Sequence, residues 1–324
     1  MTLRVGLIGT GGIGARHAAA AQKVTGLHFV AACGREMSRA EDFGKRFGVT
    51  AYDDLERMLG SERLDLLVVA LPPFAHAGQV ERAAALGVNV LVEKPIALDL
   101  GRAASMVDAS RNVVAACGFM YRFGGAVQRW TAMADAGETG TVGHFSGSFH
   151  CNALHAPWWR DRDKSGGQMV EQLIHIADLA RCSLGMPQTV YARAANLFHR
   201  DVPDYTSEDA SAILLGYDDG RVGVLHASNI AVPGRWMKGW QVVAQKATGI
   251  FADWNTAEIV QTIGEPVSER IASAVDPFVA QLEDVRDAIV DKRPPRVPLR
   301  DGLETLRIVL AARQSADTKR EVSL

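Results

Sequence analysis

Arg4-Val5-Gly6-Leu7-Ile8 is a short, mainly apolar run, and Gly9-Thr10-Gly11-Gly12-Ile13-Gly14 follows it directly. The run is typical of a buried strand, and the alanine-rich residues 15–25 that come next predict a helix. A strand, a Gly-x-Gly-x-x-Gly loop and a helix in this order form the arrangement that binds a dinucleotide. A glycine-rich turn in an unrelated α/β protein is the alternative interpretation.

Each glycine of the loop has a mechanical role in such a site. Gly9 allows the tight turn, Gly11 lacks the Cβ that would block a pyrophosphate, and Gly14 lets the helix pack closely on the strand. The first turn of the helix also offers free N–H groups and the positive end of its dipole to the phosphates. We therefore predict cofactor contacts at Gly9, Gly11, Gly12, Ile13 and Gly14.

Length and charge limit the class of protein. The 324 residues are too many for one ordinary core, so two domains are predicted. A net charge of −2 gives no support for nucleic-acid binding. No apolar run approaches the ~20 residues that span a bilayer, and Met1 leads almost directly into a strand, which argues against a signal peptide. We therefore expect neither a nucleic-acid nor a membrane partner.

The four cysteines are scattered and include no Cys-x-x-Cys pair; they are Cys33, Cys117, Cys151 and Cys182. This spacing predicts neither a zinc site nor a disulfide framework. A reducing, cytoplasmic compartment is therefore expected, with most of the thiols buried as small hydrophobic groups.

Apolar runs typical of strands alternate with helical stretches over residues 1–119. Predicted strands cover residues 27–33, 64–71, 88–92 and 113–117, and predicted helices cover residues 38–47, 54–59, 74–86 and 98–110. Alternating strands and helices with short links indicate a doubly wound parallel sheet of the Rossmann type, and thus a dinucleotide-binding domain. The cofactor is expected along the carboxyl ends of its strands.

The end of the second predicted strand bears on which cofactor is used. An NAD site usually has an acidic residue here for the ribose hydroxyls, but this position is Gly34. Arg35 and Arg39 follow, and two guanidinium groups suit the 2′-phosphate of NADP. NADP is therefore favoured; NAD stays possible, because Glu36 could reach a ribose.

Two further strand ends carry polar residues at the expected cofactor edge. Pro72, Pro73 and His76 follow the strand 64–71, where a lone histidine is more often structural than catalytic. Glu93 and Lys94 follow the strand 88–92, and charges placed directly after a buried strand must be paired or functional. We predict that all five residues lie at the cofactor site, with an exposed loop as the alternative for the charged pair.

Several of these segments together resemble the Gfo/Idh/MocA oxidoreductases, in particular the group of glucose-fructose oxidoreductase and inositol dehydrogenase. The matching segments are the loop Gly9–Gly14, Pro73-x-x-His76, Ala83–Gly87, Val90-Leu91-Val92-Glu93-Lys94-Pro95 and Gly118-Phe119-Met120-Tyr121-Arg122-Phe123. The resemblance implies NAD(P), sugar or polyol substrates, and a C-terminal open-faced sheet that forms dimer or tetramer contacts. It also implies a cis Lys94–Pro95 bond and a cofactor contact at Arg122.

The hydrophobic period changes in the second half, residues 120–324. Predicted strands cover residues 142–152, 189–198, 210–217, 221–228 and 240–251, and predicted helices cover residues 126–136, 277–291 and 301–316. Long strands joined by hairpins indicate an α+β domain with a large, mainly antiparallel sheet. One face of that sheet is expected to carry helices and the other to meet a partner, so we predict a substrate-binding and oligomerisation domain.

One predicted helix, residues 168–184, carries a row of polar side chains. Glu171, His175, Asp178 and Cys182 are spaced i, i+4, i+7 and i+11 and form one narrow stripe. The family has Gly-Gly-x-x-x-Asp-x-x-x-His-x-x-Asp here, and Glu171 replaces the first aspartate. The stripe could be an ordinary wet face or could ligate a metal, but the family needs no metal and none is predicted.

Trp158-Trp159-Arg160 precedes this helix. The family often has a Trp-Arg pair here that reaches the cofactor or the substrate, so Trp159 and Arg160 are predicted substrate contacts. Buried tryptophans beside a surface arginine are the alternative.

These features predict an enzyme that transfers a hydride between a nicotinamide cofactor and a sugar, polyol or related alcohol. By the resemblance, His175 would take the hydroxyl proton, Glu171 would fix its imidazole, Lys94 would polarise the reacting oxygen and Asp178 would hold a substrate hydroxyl. A cofactor-binding regulator without turnover, and a redox-neutral glycosidase or epimerase with tightly bound NAD, are the alternatives.

Overall fold

The computed structural model describes residues 2–324. The chain divides into two compact units. The first contains the residues up to Met120 together with Asp276–Leu303, and the second contains Tyr121–Val275 and Glu304–Leu324.

The first unit is built on a parallel sheet, as its apolar runs predict, but the sheet has six strands, because β3 was not among the predicted ones. The strands are β1 Leu3–Ile8, β2 Leu27–Cys33, β3 Thr50–Tyr52, β4 Leu66–Val69, β5 Asn89–Val92 and β6 Ala115–Cys117. Their order is β3-β2-β1-β4-β5-β6, so the chain reverses direction across the sheet at β1 and β4. Such a switch point is where an open α/β sheet binds its ligand.

Helices connect these strands. They are α1 Gly12–Ala21, α2 Met37–Phe47, α3 Leu55–Ser61, α4 Gln79–Ala85 and α5 Leu100–Ala109. The single helix predicted for residues 74–86 is wrong: Pro73–Ala75 forms a short 3₁₀ turn, and α4 begins only after Gly78, whose φ is +107°. Gly78 interrupts the helix because its positive φ is incompatible with a continuous right-handed turn.

The second unit contains a nine-stranded sheet, and the predicted fold class is confirmed. Its elements up to residue 272 are α6 Gly125–Asp135, β7 Val142–His150, α7 Pro157–Arg160, α8 Arg162–Ser165, α9 Gln168–Glu171, α10 Ile174–Leu184, β8 Thr189–Ala195, β9 Ala210–Gly216, β10 Val222–Ser228, β11 Met237–Ala244, β12 Ala247–Phe251, β13 Thr256–Gln261 and β14 Val267–Ala272. The chain continues with α11 Pro277–Asp291, α12 Leu299–Thr318 and β15 Val322–Ser323.

The strand order is β14-β13-β12-β11-β7-β10-β9-β8-β15. The pair β7–β10 is parallel, and the other neighbouring pairs are antiparallel. The strand predicted for residues 240–251 is two strands, β11 and β12, which pair with each other. The short turn between them lacks the glycine or proline that usually marks a hairpin in a sequence.

The two faces of this sheet differ. Phe145, Gly147 and Phe149 alternate along β7 toward α10, and a Cβ on Gly147 would lie 2.5 Å from Ile176 of that helix. On the opposite face Leu214, Val243 and Ile250 are exposed. We call this second surface the open face.

The segment 276–303 packs within the first unit. The domain division predicted from the sequence assigned this segment to the second domain, residues 120–324. The Cys117 amide donates to the Val297 carbonyl at 2.9 Å, and the Gln281 side-chain amide donates to the Cys117 carbonyl at 3.1 Å. These bonds satisfy backbone groups of the last strand, β6, with chain that returns from much later in the sequence.

None of the helices within residues 2–324 is both long enough and apolar enough to cross a membrane.

Candidate active site

The glycine loop has two glycines in tight contact and two that face open space. A Cβ on Gly9, whose φ is +107°, would lie 2.3 Å from the Ala70 carbonyl oxygen. A Cβ on Gly14 would lie 1.9 Å from the Gly9 carbonyl oxygen. At Gly11 and Gly12 a Cβ would meet no atom within 4 Å. The backbone therefore leaves a clear approach to the N-terminus of α1, which fits a pyrophosphate.

The end of β2 carries no acidic side chain at the position usual for NAD. Gly34 packs against the loop, and a Cβ there would lie 2.8 Å from the Thr10 hydroxyl oxygen. Arg35 and Arg39 are exposed, and each forms an ion pair with a different oxygen of Glu36. The nitrogen-to-oxygen distances are 3.4 Å for Arg35 and 3.1 Å for Arg39. Two cations and one carboxylate thus lie together next to this end of the strand.

Glu93 is buried and turned inward. Its Oε1 lies 2.7 Å from Nε2 of His17, a side chain of α1 that is 1% exposed. Its Oε2 accepts a hydrogen bond from the Lys94 backbone amide at 3.1 Å. A Cβ on Gly118 would lie 2.8 Å from the same oxygen. The carboxylate expected to contact the cofactor therefore links α1 to the end of β5.

His17 was not among the predicted site residues. Two features of the sequence could have indicated it. A histidine lies on an alanine-rich helix, and Glu93, a carboxylate with no predicted partner, lies at the end of a buried strand. Lys94, next to Glu93, is half-buried. The Lys94–Pro95 bond is cis, as the resemblance implied.

His76 lies in the interior of the first unit. Pro72 is extended, Pro73 begins the 3₁₀ turn, and the His76 Nε2 donates to the Leu71 carbonyl at 3.3 Å. Burial lowers the pKa of His76 to about 4, so the ring is neutral near neutral pH. A neutral, buried imidazole fits the structural interpretation of this residue better than a cofactor contact.

In the second unit, the helix predicted for residues 168–184 is interrupted. The Leu173 amide donates to the Gln168 carbonyl, five residues back, at 3.0 Å. The helical repeat is therefore broken between α9 and α10, and the prediction of one continuous helix is wrong. Such π-type turns are frequent at functional sites. Here the turn separates Glu171, the last residue of α9, from His175 in the first turn of α10.

Glu171 and Trp159 are bonded to each other. The indole Nε1 of Trp159 donates to Glu171 Oε2 at 2.6 Å, and the Trp159 ring is buried. Arg160 donates to the backbone carbonyls of Leu154 and His155, at 2.9 and 3.0 Å. Trp159 therefore holds the carboxylate beside the π-type turn, and Arg160 holds the preceding loop.

His175 is half-buried and stacked on an aromatic ring. Its imidazole lies 4.4 Å from the Tyr121 ring, with an angle of 7° between the planes. The Tyr121 ring lies 4.7 Å from the ring of Trp254. Burial, and then the nearby carboxylates of Glu171 and Asp253, raise the pKa of the Tyr121 hydroxyl. Neither Tyr121 nor Trp254 was predicted as a site residue; Tyr121 lies inside the segment that carries the family resemblance.

Asp178 differs most from its expected role. It is 1% exposed, and Arg122 makes a two-pronged contact with it, with Nε donating at 2.7 Å. The Thr305 hydroxyl donates to it at 3.0 Å, and Arg181 lies 3.6 Å away. Because these partners already bind the Asp178 carboxylate, the structure does not fit the expectation that Asp178 binds a substrate hydroxyl. Arg122 is bound to Asp178 in the same network and does not fit the expected cofactor contact.

Within residues 2–324, no three or more histidine, cysteine, aspartate or glutamate side chains are grouped so that they could hold a metal ion.

The fold and site together define a nicotinamide-nucleotide-dependent oxidoreductase: a Rossmann sheet with an open glycine loop, and a second unit that presents a histidine on an aromatic support. Comparison with known proteins identifies the class more closely. The family model described as an oxidoreductase family with an NAD-binding Rossmann fold matches residues 3–119, and the Gfo/Idh/MocA C-terminal domain matches residues 127–250. The chain belongs to the Gfo/Idh/MocA oxidoreductase family.

Named relatives match nearly the whole chain. D-xylose 1-dehydrogenase (NADP(+)) 2 of Haloferax volcanii is 26% identical over 98% of this chain and 99% of its own. Myo-inositol 2-dehydrogenase of Thermotoga maritima is 26% identical over 99% of this chain and 98% of its own. Levoglucosan dehydrogenase, solved with NADH and L-sorbose, shares the fold with a TM-score of 0.92 at 19% identity, over 100% of this chain and 99% of its own.

Proposed function

We propose that the protein interconverts a hydroxyl group of a sugar, polyol or related alcohol and the corresponding carbonyl group, with NADP as cofactor. The observation that carries the proposal is the glycine loop, which is packed tightly at Gly9 and Gly14 and open at Gly11 and Gly12. The family and the relatives named as xylose and inositol dehydrogenases support the reaction class.

A bound nicotinamide would accept the hydride, and side chains of this protein would accept and return the proton. As the C–H bond of the substrate breaks, its hydroxyl proton passes to His175, and the C–O bond becomes a carbonyl. Lys94 stabilises the negative charge that builds on the substrate oxygen. Reduction runs the same steps in reverse, with protonated His175 as the donor.

The contacts of His175 restrain its imidazole ring, as a general base requires. The ring is stacked on Tyr121 and follows the π-type turn beside Glu171. We propose that Glu171, held by the Trp159 indole, orients His175 through this turn. Asp178 and Arg122 fix α10 from inside the unit and thus position the base without touching the substrate.

For the cofactor, Gly34, Arg35 and Arg39 support NADP over NAD. One relative is named for NADP, whereas scyllo-inositol 2-dehydrogenase of Bacillus subtilis is named for NAD. The preference therefore rests on the residues of this chain: the absent carboxylate at position 34 and the two guanidinium groups next to it.

We also propose a homodimer or homotetramer formed through the open face. That face exposes apolar side chains on β9, β11 and β12, and an exposed apolar surface indicates association.

A screen of sugars, inositols and linear polyols with NADP and NAD, following absorbance of the reduced nicotinamide, tests the reaction. The matched control is Gly11→Val, in which the side chain fills the space left for the pyrophosphate. Turnover that disappears in Gly11→Val supports the proposal. If no sugar or polyol is turned over with either cofactor, it fails, and cofactor that stays bound through gel filtration would then favour the redox-neutral alternative.

A further inference from the structure

The second unit contains a pocket that the proposed reaction does not yet use. Its volume is about 430 Å³, and its lining includes Trp236, Met237, Lys238, Asp253 and Trp254. Most of these side chains are apolar, so the single ammonium group among them is the feature to explain.

Lys238 is placed by the register of the sheet. In β11 it lies opposite Phe149 of β7, and opposite residues of an antiparallel pair point to the same face. Its Nζ lies 5.7 Å from the centre of the Phe149 ring and 4.9 Å from that of Trp254. The ammonium is thus held against the faces of two aromatic rings.

Lys238 forms no ion pair with any carboxylate in residues 2–324, and one oxygen of Asp253, which shares the pocket, is engaged by backbone amides. The Asp253 Oδ1 accepts backbone hydrogen bonds from Asn255 at 2.7 Å and Thr256 at 2.8 Å, which hold the turn before β13. Burial lowers the pKa of Lys238, and the charge of Asp253 only partly offsets this effect. A half-buried cation without a paired anion is costly, and an anion that enters the pocket relieves that cost.

The pocket lies next to the aromatic support of the base. The Trp254 ring that contacts Lys238 also contacts Tyr121 at 4.7 Å, and Tyr121 stacks on His175 at 4.4 Å. Lys238 and His175 therefore contact opposite members of one aromatic pair. A substrate that reaches His175 along these rings can extend a second group to Lys238.

We propose that Lys238 binds a carboxylate of the substrate, so that the preferred substrates are sugar acids, such as aldonates or uronates, rather than neutral sugars. The inference rests on the proposed function, because it takes His175 as the base that acts on the same molecule. It adds a charged subsite that would select among sugar-like alcohols.

Matched substrate pairs test the subsite. D-gluconate with D-glucitol, and D-glucuronate with D-glucose, differ chiefly in one carboxylate. We expect the wild-type kcat/KM to be higher for the acid than for the neutral compound in at least one pair. Lys238→Met should lower kcat/KM for that acid about 10²-fold, mainly by raising KM, because this is the size of a lost charge-assisted hydrogen bond. The neutral partner should change less than ~3-fold, since its hydroxyl makes only a neutral contact.

Two further variants complete the test. Lys238→Arg should keep most of the preference, because a guanidinium is charged and also stacks on aromatic rings. Lys246→Met, at an exposed lysine on the turn after β11, is the matched control and should behave as wild type. Circular dichroism checks that each variant is folded. A wild type that prefers the neutral partner of both pairs, or a Lys238→Met that loses acid and neutral activity equally, overturns the inference.

A direct measurement of ligand binding tests the Lys238 subsite independently of the proposed reaction. Gluconate and glucitol are titrated against tryptophan fluorescence without turnover, because Trp236 and Trp254 line the pocket. Gluconate binding that is lost in Lys238→Met supports the subsite even if no substrate is oxidised, in which case the proposed function alone fails. Turnover of neutral sugars that Gly11→Val abolishes, with no Lys238-dependent binding of gluconate, supports the function and refutes the subsite.

Discussion

The His17 imidazole and the Glu93 carboxylate form a buried pair, with Nε2 and Oε1 2.7 Å apart. His17 lies on the helix that follows the glycine loop, and Glu93 directly precedes Lys94. The pair therefore ties the helix that would receive the cofactor phosphates to the residue that would polarise the substrate.

Replacing His17 with alanine should lower the free energy of unfolding by about 3–5 kcal/mol, because it leaves a buried carboxylate without its partner. The double variant with Glu93→Gln should recover part of this loss, since a neutral amide is less costly to bury. Urea unfolding of the single and double variants measures both effects. His28→Ala, at an exposed histidine on β2, is the control. A His17→Ala protein as stable as that control would show that the pair is not a stabilising link.

NADPH should bind more tightly than NADH. The double variant Arg35→Ala/Arg39→Ala should weaken NADPH binding about 10–100-fold and leave NADH nearly unchanged, because only NADPH carries the 2′-phosphate. Glu36→Gln should strengthen NADPH binding, since it removes the carboxylate that now pairs with both arginines. Fluorescence titration of both reduced cofactors gives the dissociation constants. Tighter binding of NADH to the wild type would refute the preference.

Lys94→Ala and His175→Ala should lose activity in a different way from Gly11→Val. Removing the proposed base, or the lysine proposed to stabilise the substrate oxygen, should lower kcat about 10²–10⁴-fold and leave the Kd for reduced cofactor nearly intact, because neither is expected at the pyrophosphate. Gly11→Val should abolish cofactor binding. The measurements are kcat on the best substrate and cofactor Kd in all three proteins. If His175→Ala keeps near wild-type kcat, His175 is not the base.

His76 should make the protein more sensitive to acid. Its pKa is about 4 in the folded protein against 6.5 for an exposed histidine, so the unfolded chain takes up the proton first as the pH falls. Stability should decrease from pH 6.5 down to about 4, with a loss from this group of about 2 kcal/mol by pH 5. Urea midpoints at pH 7.5 and pH 5 should differ less in His76→Gln than in the wild type. An equal difference in both proteins would exclude this contribution.

The open face should mediate association. Leu214, in the interior of β9, is 44% exposed there, and Leu214→Asp should convert the proposed oligomer into smaller species because it would bury a charge in the proposed interface. Ile263→Asp is the matched control: this apolar side chain is 65% exposed but lies in the turn between β13 and β14 rather than within a strand. Light scattering of both variants and the wild type distinguishes the cases. A wild type that is monomeric at micromolar concentration contradicts the proposal.

The features that could be predicted from the sequence are those encoded by a short, continuous stretch of residues. The glycine loop, its strand and its helix are encoded within one short stretch, and so is the Glu93-Lys94-Pro95 turn at the end of β5. The apolar run 64–71 overestimates β4, which ends at Val69, because hydrophobicity continues beyond the last paired residue. Periodicity locates an element but does not determine where its hydrogen bonds stop.

The rest depends on contacts between distant parts of the chain. The π-type turn at Leu173 leaves the apolar period of the predicted helix almost undisturbed, so no sequence pattern reveals it. The stack of Tyr121, His175 and Trp254 joins three separate elements, and the burial of Asp178 depends on Arg122 and Thr305. Such partners can be found only once the fold has brought them together.

The return of residues 276–303 to the first unit has a consequence for protein synthesis. Besides pairing with β5, the strand β6 donates to the Val297 carbonyl and accepts from the Gln281 side chain, and both residues leave the ribosome long after the glycine loop. During translation, the unit that begins first is therefore completed after most of the second unit has emerged, the reverse of the usual vectorial order. A ribosome-bound chain that stops at residue 120 would hold an unfinished sheet edge, and chaperones that recognise exposed strands would be expected to bind there.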